Sequence, residues 1–192
     1  MREVVLATRN QGKLREMAEI AQAFGILILP LPDEVEMPEE TGSSFLENAR
    51  LKAVHGHLAT GMPVLADDSG IEVEALGGKP GIYSARFSGA GASDARNNEL
   101  LLERLRGETR RTAFYRAALV LSDGEREWSA LGSWRGEILE APRGTGGFGY
   151  DPLFYVPELG RSAAELSREE KSRHSHRGNA MRALCRILAL PI

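Results

Sequence analysis

A single cysteine, Cys185, stands among 192 residues, so no disulfide can close within the chain and a reducing compartment suits it. Its neighbours Leu184, Ile187 and Leu188 are apolar, which predicts a buried, unreactive thiol rather than a nucleophile. No apolar run approaches the ~20 residues that a membrane-spanning helix needs, so no membrane partner is expected. The opening Met1-Arg2-Glu3-Val4-Val5-Leu6 enters a strand directly and lacks the long apolar region of a secretory signal. Cytoplasm is the expected location. Net charge is also scarce: a formal value of −3 argues against a broad phosphate-backbone surface, and so against a nucleic-acid partner. It leaves room for a local basic pocket around a small anion. Repeats, low-complexity tracts and long linkers are missing. With 42% hydrophobic and 27% charged residues, the chain is too apolar for disorder and fits one globular domain over residues 1–192.

Hydrophobic patterning predicts an α/β fold. Glu3 to Ala7 reads as a strand buried on both faces, Gln11 to Phe24 as a helix stopped by Gly25, and Ile26 to Leu31 as a second strand. A helix from Ser44 to about Ala59 opens with capping-box spacing at Ser44 and Glu47. Val64 to Ala66 is a short strand ending in Asp67-Asp68-Ser69-Gly70, and Ile71 to Ala75 a half-buried one. Asp94 to Leu105 is helical behind Ser93. Thr112 to Leu121 and Glu127 to Leu139 form a hairpin through Asp123-Gly124, and Leu153 to Val156 is a last strand. Ser167 and Glu170 repeat the capping-box spacing, and a terminal helix from Ser175 to Leu190 buries Met181, Leu184, Ile187 and Leu188. The parallel opening and the antiparallel hairpin together predict one mixed sheet covered by helices.

Four segments carry candidate chemistry. Thr8-Arg9-Asn10-Gln11-Gly12-Lys13 lies between a strand and a helix, where free N–H groups and the helix dipole attract anions and Lys13 adds a point charge. It lacks Walker spacing, and an N-cap by Asn10 with a solvated Lys13 accounts for the same residues. The acids Glu39, Glu40, Asp67 and Asp68 form the second group. Magnesium takes a few carboxylate oxygens and shares its shell with substrate phosphates, and a carboxylate beside it can deprotonate water. Adjacent Asp67 and Asp68 repel each other unless a cation or donors are present, whereas Glu39 and Glu40 also fit a solvated loop.

The third segment, Gly144 to Pro152, has four glycines in its first six residues, which lets backbone approach a ligand closely. Phe148 there offers an aromatic face for a nucleobase, and Asp151 an acceptor for a ring N–H. An ordinary glycine-rich turn with a core Phe and Tyr is the competing explanation. In the fourth segment, Lys171 to Gly178, five of eight residues are basic or imidazole. Placed at a helix start, those cations oppose the dipole, a conflict that a bound anion would remove. A solvated charge run is the alternative.

Taken together, the chain resembles the dITP/XTP pyrophosphatase family, also called the inosine triphosphate pyrophosphatase family. The resemblance is carried by Val5-Leu6-Ala7-Thr8-Arg9-Asn10, Glu39-Glu40-Thr41-Gly42, Glu47-Asn48-Ala49 and Ala66-Asp67-Asp68-Ser69-Gly70. It continues through Gly77-Gly78, Pro80 to Arg86, Gly144 to Pro152, Lys171 and Ser175-His176-Arg177-Gly178, in the family's order and over nearly the whole chain.

The resemblance implies an elongated mixed sheet flanked by helices, with two lobes around a central cleft, and a homodimer. It implies hydrolysis of dITP, ITP and XTP to the monophosphate and pyrophosphate, which clears these nucleotides before they enter DNA or RNA. By the same resemblance, Thr8, Arg9, Asn10, Gln11, Gly12, Lys13 and Lys52 hold the triphosphate. Glu39 or Glu40 and Asp68 bind magnesium (Mg2+), with Asp68 the catalytic base. Ser69, Phe148, Gly149, Tyr150, Asp151, Lys171, His176 and Arg177 hold the nucleotide. Arg9 departs from the glycine of many members, and its side chain either touches phosphate or points to solvent. Inosine and xanthine carry an oxygen at purine C6 where adenine carries an amino group. A donor from Arg177 or protonated His176 would therefore separate them, since an unpaired buried donor costs about 1–3 kcal/mol. Guanine shares that oxygen, and its exclusion needs another contact.

Overall fold

The computed structural model describes residues 2–189 and has the expected α/β architecture. Strand β1 (Arg2–Leu6) is followed by helix α1 (Gln11–Gln22) and β2 (Ile26–Pro30). Then come α2 (Phe45–Thr60), β3 (Val64–Val73), α3 (Asp94–Arg104), β4 (Thr112–Ser122) and β5 (Glu127–Ile138). The chain ends with β6 (Phe154–Val156), β7 (Arg161–Ser162), α4 (Arg168–His174) and α5 (His176–Ile187). The strands form one mixed sheet in the order β2-β1-β3-β4-β5-β6-β7. β1 pairs in parallel with β2 and β3, while β6 pairs antiparallel with β5 and β7.

The local signals worked where the chemistry was local. Asn10 caps α1 by accepting from Lys13 N at 3.0 Å, and Ser93 caps α3 by accepting from Arg96 N at 3.3 Å. The Ser167 and Glu170 capping box is complete. At α2 only half of the predicted box forms. Ser44 Oγ accepts from Glu47 N, but the Glu47 carboxylate reaches one residue further back, to Ser43 N and Oγ at 2.7 and 2.8 Å.

Three expectations fail. Asp67-Asp68-Ser69-Gly70 is not a turn at a strand end: it lies mid-strand in a continuous, ten-residue β3. Gly70 is there for closeness, since a Cβ on it would meet Ser84 Oγ at 2.3 Å and Gly81 O at 2.5 Å. The second correction concerns the basic segment. Lys171, Arg173 and His174 occupy the last turn of α4, where cations favour the dipole, and only His176 and Arg177 begin a helix. Third, Ile187 is exposed rather than core, because α5 ends on it. Leu190, the predicted end of that helix, lies outside the described residues.

The chain divides into two compact units. The first comprises Met1–Asp68, Ala117–Gly132 and His176–Ile192. Its core sets Leu6, Met17, Ile28, Leu119, Met181 and Leu184 together, with Cys185 buried among them as the sequence predicts. Gly132 of β5 lets α5 come close, since an added Cβ would stand 2.0 Å from His176 O and 2.5 Å from Ala180 N. Gly132→Ala is therefore expected to cost about 1–3 kcal/mol as overpacking, measured by chemical denaturation. A cost under a few tenths would show that the helix yields freely. The second unit comprises Ser69–Arg116 and Ser133–Ser175. Tyr115, Trp134 and Phe154 form its aromatic centre, with Phe154 ring centroids 4.4 Å from Tyr115 and 5.2 Å from Trp134.

Candidate active site

In the first unit, β3 carries Asp67 and Asp68 into the centre of a buried ionic network. Successive strand residues point to opposite faces, so the two carboxylates do not confront each other and each finds its own cations. Asp67 Oδ2 takes Lys13 Nζ at 2.9 Å and Arg177 Nε at 3.2 Å. Lys52 Nζ donates to Asp68 Oδ1 at 2.7 Å, to Glu40 Oε1 at 3.0 Å and to the Asp67 carbonyl at 3.0 Å. Glu16 of α1 joins through Arg177 Nη1 at 3.2 Å. Asp67 is 1% exposed, Lys52 and Arg177 4%, and Asp68 5%, so these charges persist only by mutual pairing.

Burial pushes Asp67 toward the neutral form, but Arg177 and Lys13 outweigh it and hold its carboxyl far below the usual range. Asp68 moves the other way. Burial raises its carboxyl above the ordinary value, with Glu40 adding to the rise and Lys52 and Lys13 opposing it. Burial lowers the Lys13 ammonium, against the pull of Asp67. Lys52 is held above its ordinary value because Asp68 and Glu40 outweigh its burial.

Asp68 Oδ2 is buried and has no hydrogen-bond partner among the described residues. A buried, raised, half-satisfied carboxylate is the form a general base takes, and also one that a hard cation would satisfy. Glu16, Glu40, Asp67 and Asp68 share Lys13, Lys52 and Arg177 in this network. Glu40 is the acid that joins Asp68, through Lys52, whereas Glu39 is solvent-exposed. Among the described residues, no three acid, histidine or cysteine side chains converge to hold a metal unaided.

The first motif divides between its two predicted roles. Asn10 caps α1, and Thr8 Oγ1 accepts from Asn10 N at 3.1 Å. Lys13 is not solvated but paired with Asp67, while Gln11 is exposed and Gly12 half-buried. Arg9 turns toward the protein itself. Its guanidinium donates to backbone carbonyls of the loop after β2.

In the second unit, Asp151 organises the glycine-rich segment. It is 2% exposed and accepts from Phe148 N at 2.9 Å, Tyr115 OH at 3.2 Å and Lys171 Nζ at 2.6 Å. Its oxygens are thus committed to protein donors rather than offered to a ring N–H. Gly147, at φ +72°, leaves room for this turn, because a Cβ there would stand 1.9 Å from Asp151 Oδ2. Phe148 is half-buried, not fully presented, with Lys171 Nζ 5.0 Å from its ring centroid. Gly149 is tied down by Asp94 and Asn98, at 2.6 and 2.9 Å. Tyr150 is buried with its hydroxyl on Ser84 O at 2.8 Å, and burial raises that hydroxyl well above its ordinary value. Ser69 is half-buried on β3.

Arg177 and His176 were expected to present donors to a base. His176 is 2% exposed, and two Arg177 nitrogens are spent on Asp67 and Glu16. Sequence reading missed Glu16, Asp94, Asn98, Tyr115 and Ser84. Glu16 left a trace, three residues after Lys13 on one face of α1, and Ser84 lies within the Pro80 to Arg86 motif.

Known proteins are similar to this chain over most of its length. The Ham1 family model matches residues 4–187. A dITP/XTP pyrophosphatase of Thermus thermophilus is 57% identical over 188 residues, covering 95% of this chain and 89% of its own. One from Escherichia coli (strain K12) is 50% identical over 190 residues, or 96% of each chain. The HAM1 protein structure from Coxiella burnetii superposes with a TM-score of 0.88 at 43% identity, covering 98% of this chain and 99% of that one. The Staphylococcus aureus Ham1 structure gives 0.86 at 41%, covering 98% of both. The chain belongs to the Ham1 family.

Proposed function

We propose that the protein is a nucleoside triphosphate pyrophosphohydrolase that converts dITP, ITP and XTP to the monophosphate and pyrophosphate, clearing them before they enter DNA and RNA. The observation that carries this reading is Asp68, a buried carboxylate with one oxygen on Lys52 and the other unsatisfied. Its raised affinity for a proton suits a base working near neutral pH. Asp68 takes a proton from water, whose oxygen bonds to the α-phosphorus. The bond from that phosphorus to the bridging oxygen breaks, and pyrophosphate leaves. Lys13 and Lys52 neutralise phosphate charge in a setting where burial strengthens each interaction. Thr8 and the start of α1 offer polar contacts to the same anion.

Glu40 and Asp68 would hold magnesium together with substrate phosphates, which fits an ion that uses one or two carboxylates and keeps the rest of its shell open. When bound, it would supply charge stabilisation at the phosphates. Excess EDTA is expected to abolish hydrolysis and added magnesium to restore it. Full activity in EDTA would remove the metal from the reading.

On the nucleoside side, Phe148 supplies a stacking face that tolerates any base. The ammonium of Lys171 beside it is a donor that favours a C6 oxygen over an amino group. A homodimer belongs to the same proposal and rests on the resemblance, and a cytoplasmic location belongs to it on the sequence's lack of a secretory signal. Among the described residues no helix is long and apolar enough to cross a membrane. A panel of dITP, XTP, ITP, GTP and ATP with magnesium tests the whole reading. Pyrophosphate should appear with each monophosphate, and kcat/KM should be highest for dITP, ITP and XTP. Release of orthophosphate, or equal use of ATP, would refute it.

A further inference from the structure

The loop between β2 and α2 carries Glu40, yet it contains two prolines, Pro32 and Pro38, and no regular structure to hold it. Arg9, on the loop before α1, reaches across to it. Nη1 donates to Leu31 O at 2.9 Å, and Nη2 to Pro32 O at 2.7 Å and Asp33 O at 3.2 Å. Val35 O accepts from Nη2 as well. The carboxylate of Asp33 stands further off, at 3.6 Å, and is fully exposed. His55 of α2 meets Glu36 O at 2.7 Å, and Lys52 then meets Glu40 at 3.0 Å.

We propose that Arg9 is a positioning residue that clamps the 31–35 loop by its carbonyls and so sets Glu40 beside Lys52 and Asp68. This inference rests on the proposed magnesium-assisted hydrolysis and extends it. Its physical basis is the guanidinium fork. Several donors held in one plane can satisfy several carbonyls at once, where a lysine ammonium on a flexible stem cannot. The same geometry turns Arg9 toward protein carbonyls rather than toward the anion-binding start of α1.

Arg9→Ala, Arg9→Lys and the wild-type protein separate this role from a phosphate contact. The first readout is amide hydrogen exchange of the metal-free proteins. Both variants should show exchange over residues 33–41 that is about tenfold faster or more, with α2 little changed, as local opening predicts. The second readout is the magnesium concentration giving half-maximal dITP hydrolysis. It should rise at least about threefold in both variants if Glu40 is less well placed, since supporting residues tune metal affinity by tenfold or more. Unchanged exchange in the loop overturns the clamp. Faster exchange with an unchanged magnesium midpoint overturns the positioning of Glu40. Recovery by Arg9→Lys, with Arg9→Ala raising only KM for dITP, would instead make Arg9 a phosphate contact. If the wild type fails to hydrolyse dITP, the proposed function falls, and the exchange readout alone then decides the clamp.

Discussion

Asp68→Asn is expected to leave the protein folded and to lower turnover of dITP by about 10²–10⁴-fold, the usual loss on removing a general base. Asparagine keeps the shape and an oxygen for Lys52 Nζ, now 2.7 Å from Oδ1. It lacks the second carboxylate oxygen, the one that is buried without a donor. The loss should fall on kcat more than on KM, because proton transfer is felt in the transition state and the cations proposed to bind phosphate remain. Circular dichroism and a denaturation curve would establish that the variant is folded. Turnover within a few-fold of wild type, in a folded Asp68→Asn protein, would end the assignment.

Arg177→Ala should cost about 3–5 kcal/mol of stability, because it removes a cation from a buried ionic network. Asp67 and Glu16 both face Arg177 at 3.2 Å, and Asp67 has been drawn far toward its ionised form largely by that cation. Lys13 and Lys52 would remain near Asp67, and the placement of Lys13 for the proposed phosphate contact would suffer. Activity on dITP and ATP should therefore fall in similar proportion. The resemblance implied a different outcome for Arg177, a donor to the base whose loss collapses selectivity. The quantity to measure is the ratio of kcat/KM for the two substrates, beside the urea midpoint. A collapsed ratio with an unshifted midpoint would restore Arg177 to base recognition.

The difference between the two expectations has a general cause. Sequence order exposes which residue types are near one another along the chain, and caps, turns and periodic apolar positions are settled at that range. Asn10, Ser93 and the Ser167–Glu170 pair behaved as their spacing required. Charged partners from distant segments are invisible in that view. Nothing in the spacing shows that Arg177 meets Asp67, 110 residues away, or that Arg9 meets carbonyls 22 to 26 residues on. The Asp67-Asp68-Ser69-Gly70 segment misled for a related reason. Its composition is that of a turn, yet β3 stays extended as an inner strand of the sheet, and buried cations hold the Asp67 and Asp68 carboxylates that water would otherwise hold.

By itself the sequence determined the α/β class, the helix starts, the buried thiol at Cys185 and the motifs that place the chain in its family. All of these follow from local propensity, apolar period and residue identity. Only the tertiary structure decided that Glu40 rather than Glu39 joins Asp68, that Lys13 is paired, that Asp151 organises its own loop and that Arg9 grips a carbonyl array. Those outcomes depend on which buried charge finds a partner, and in a low-dielectric interior pairing is enforced by desolvation whatever the distance along the chain.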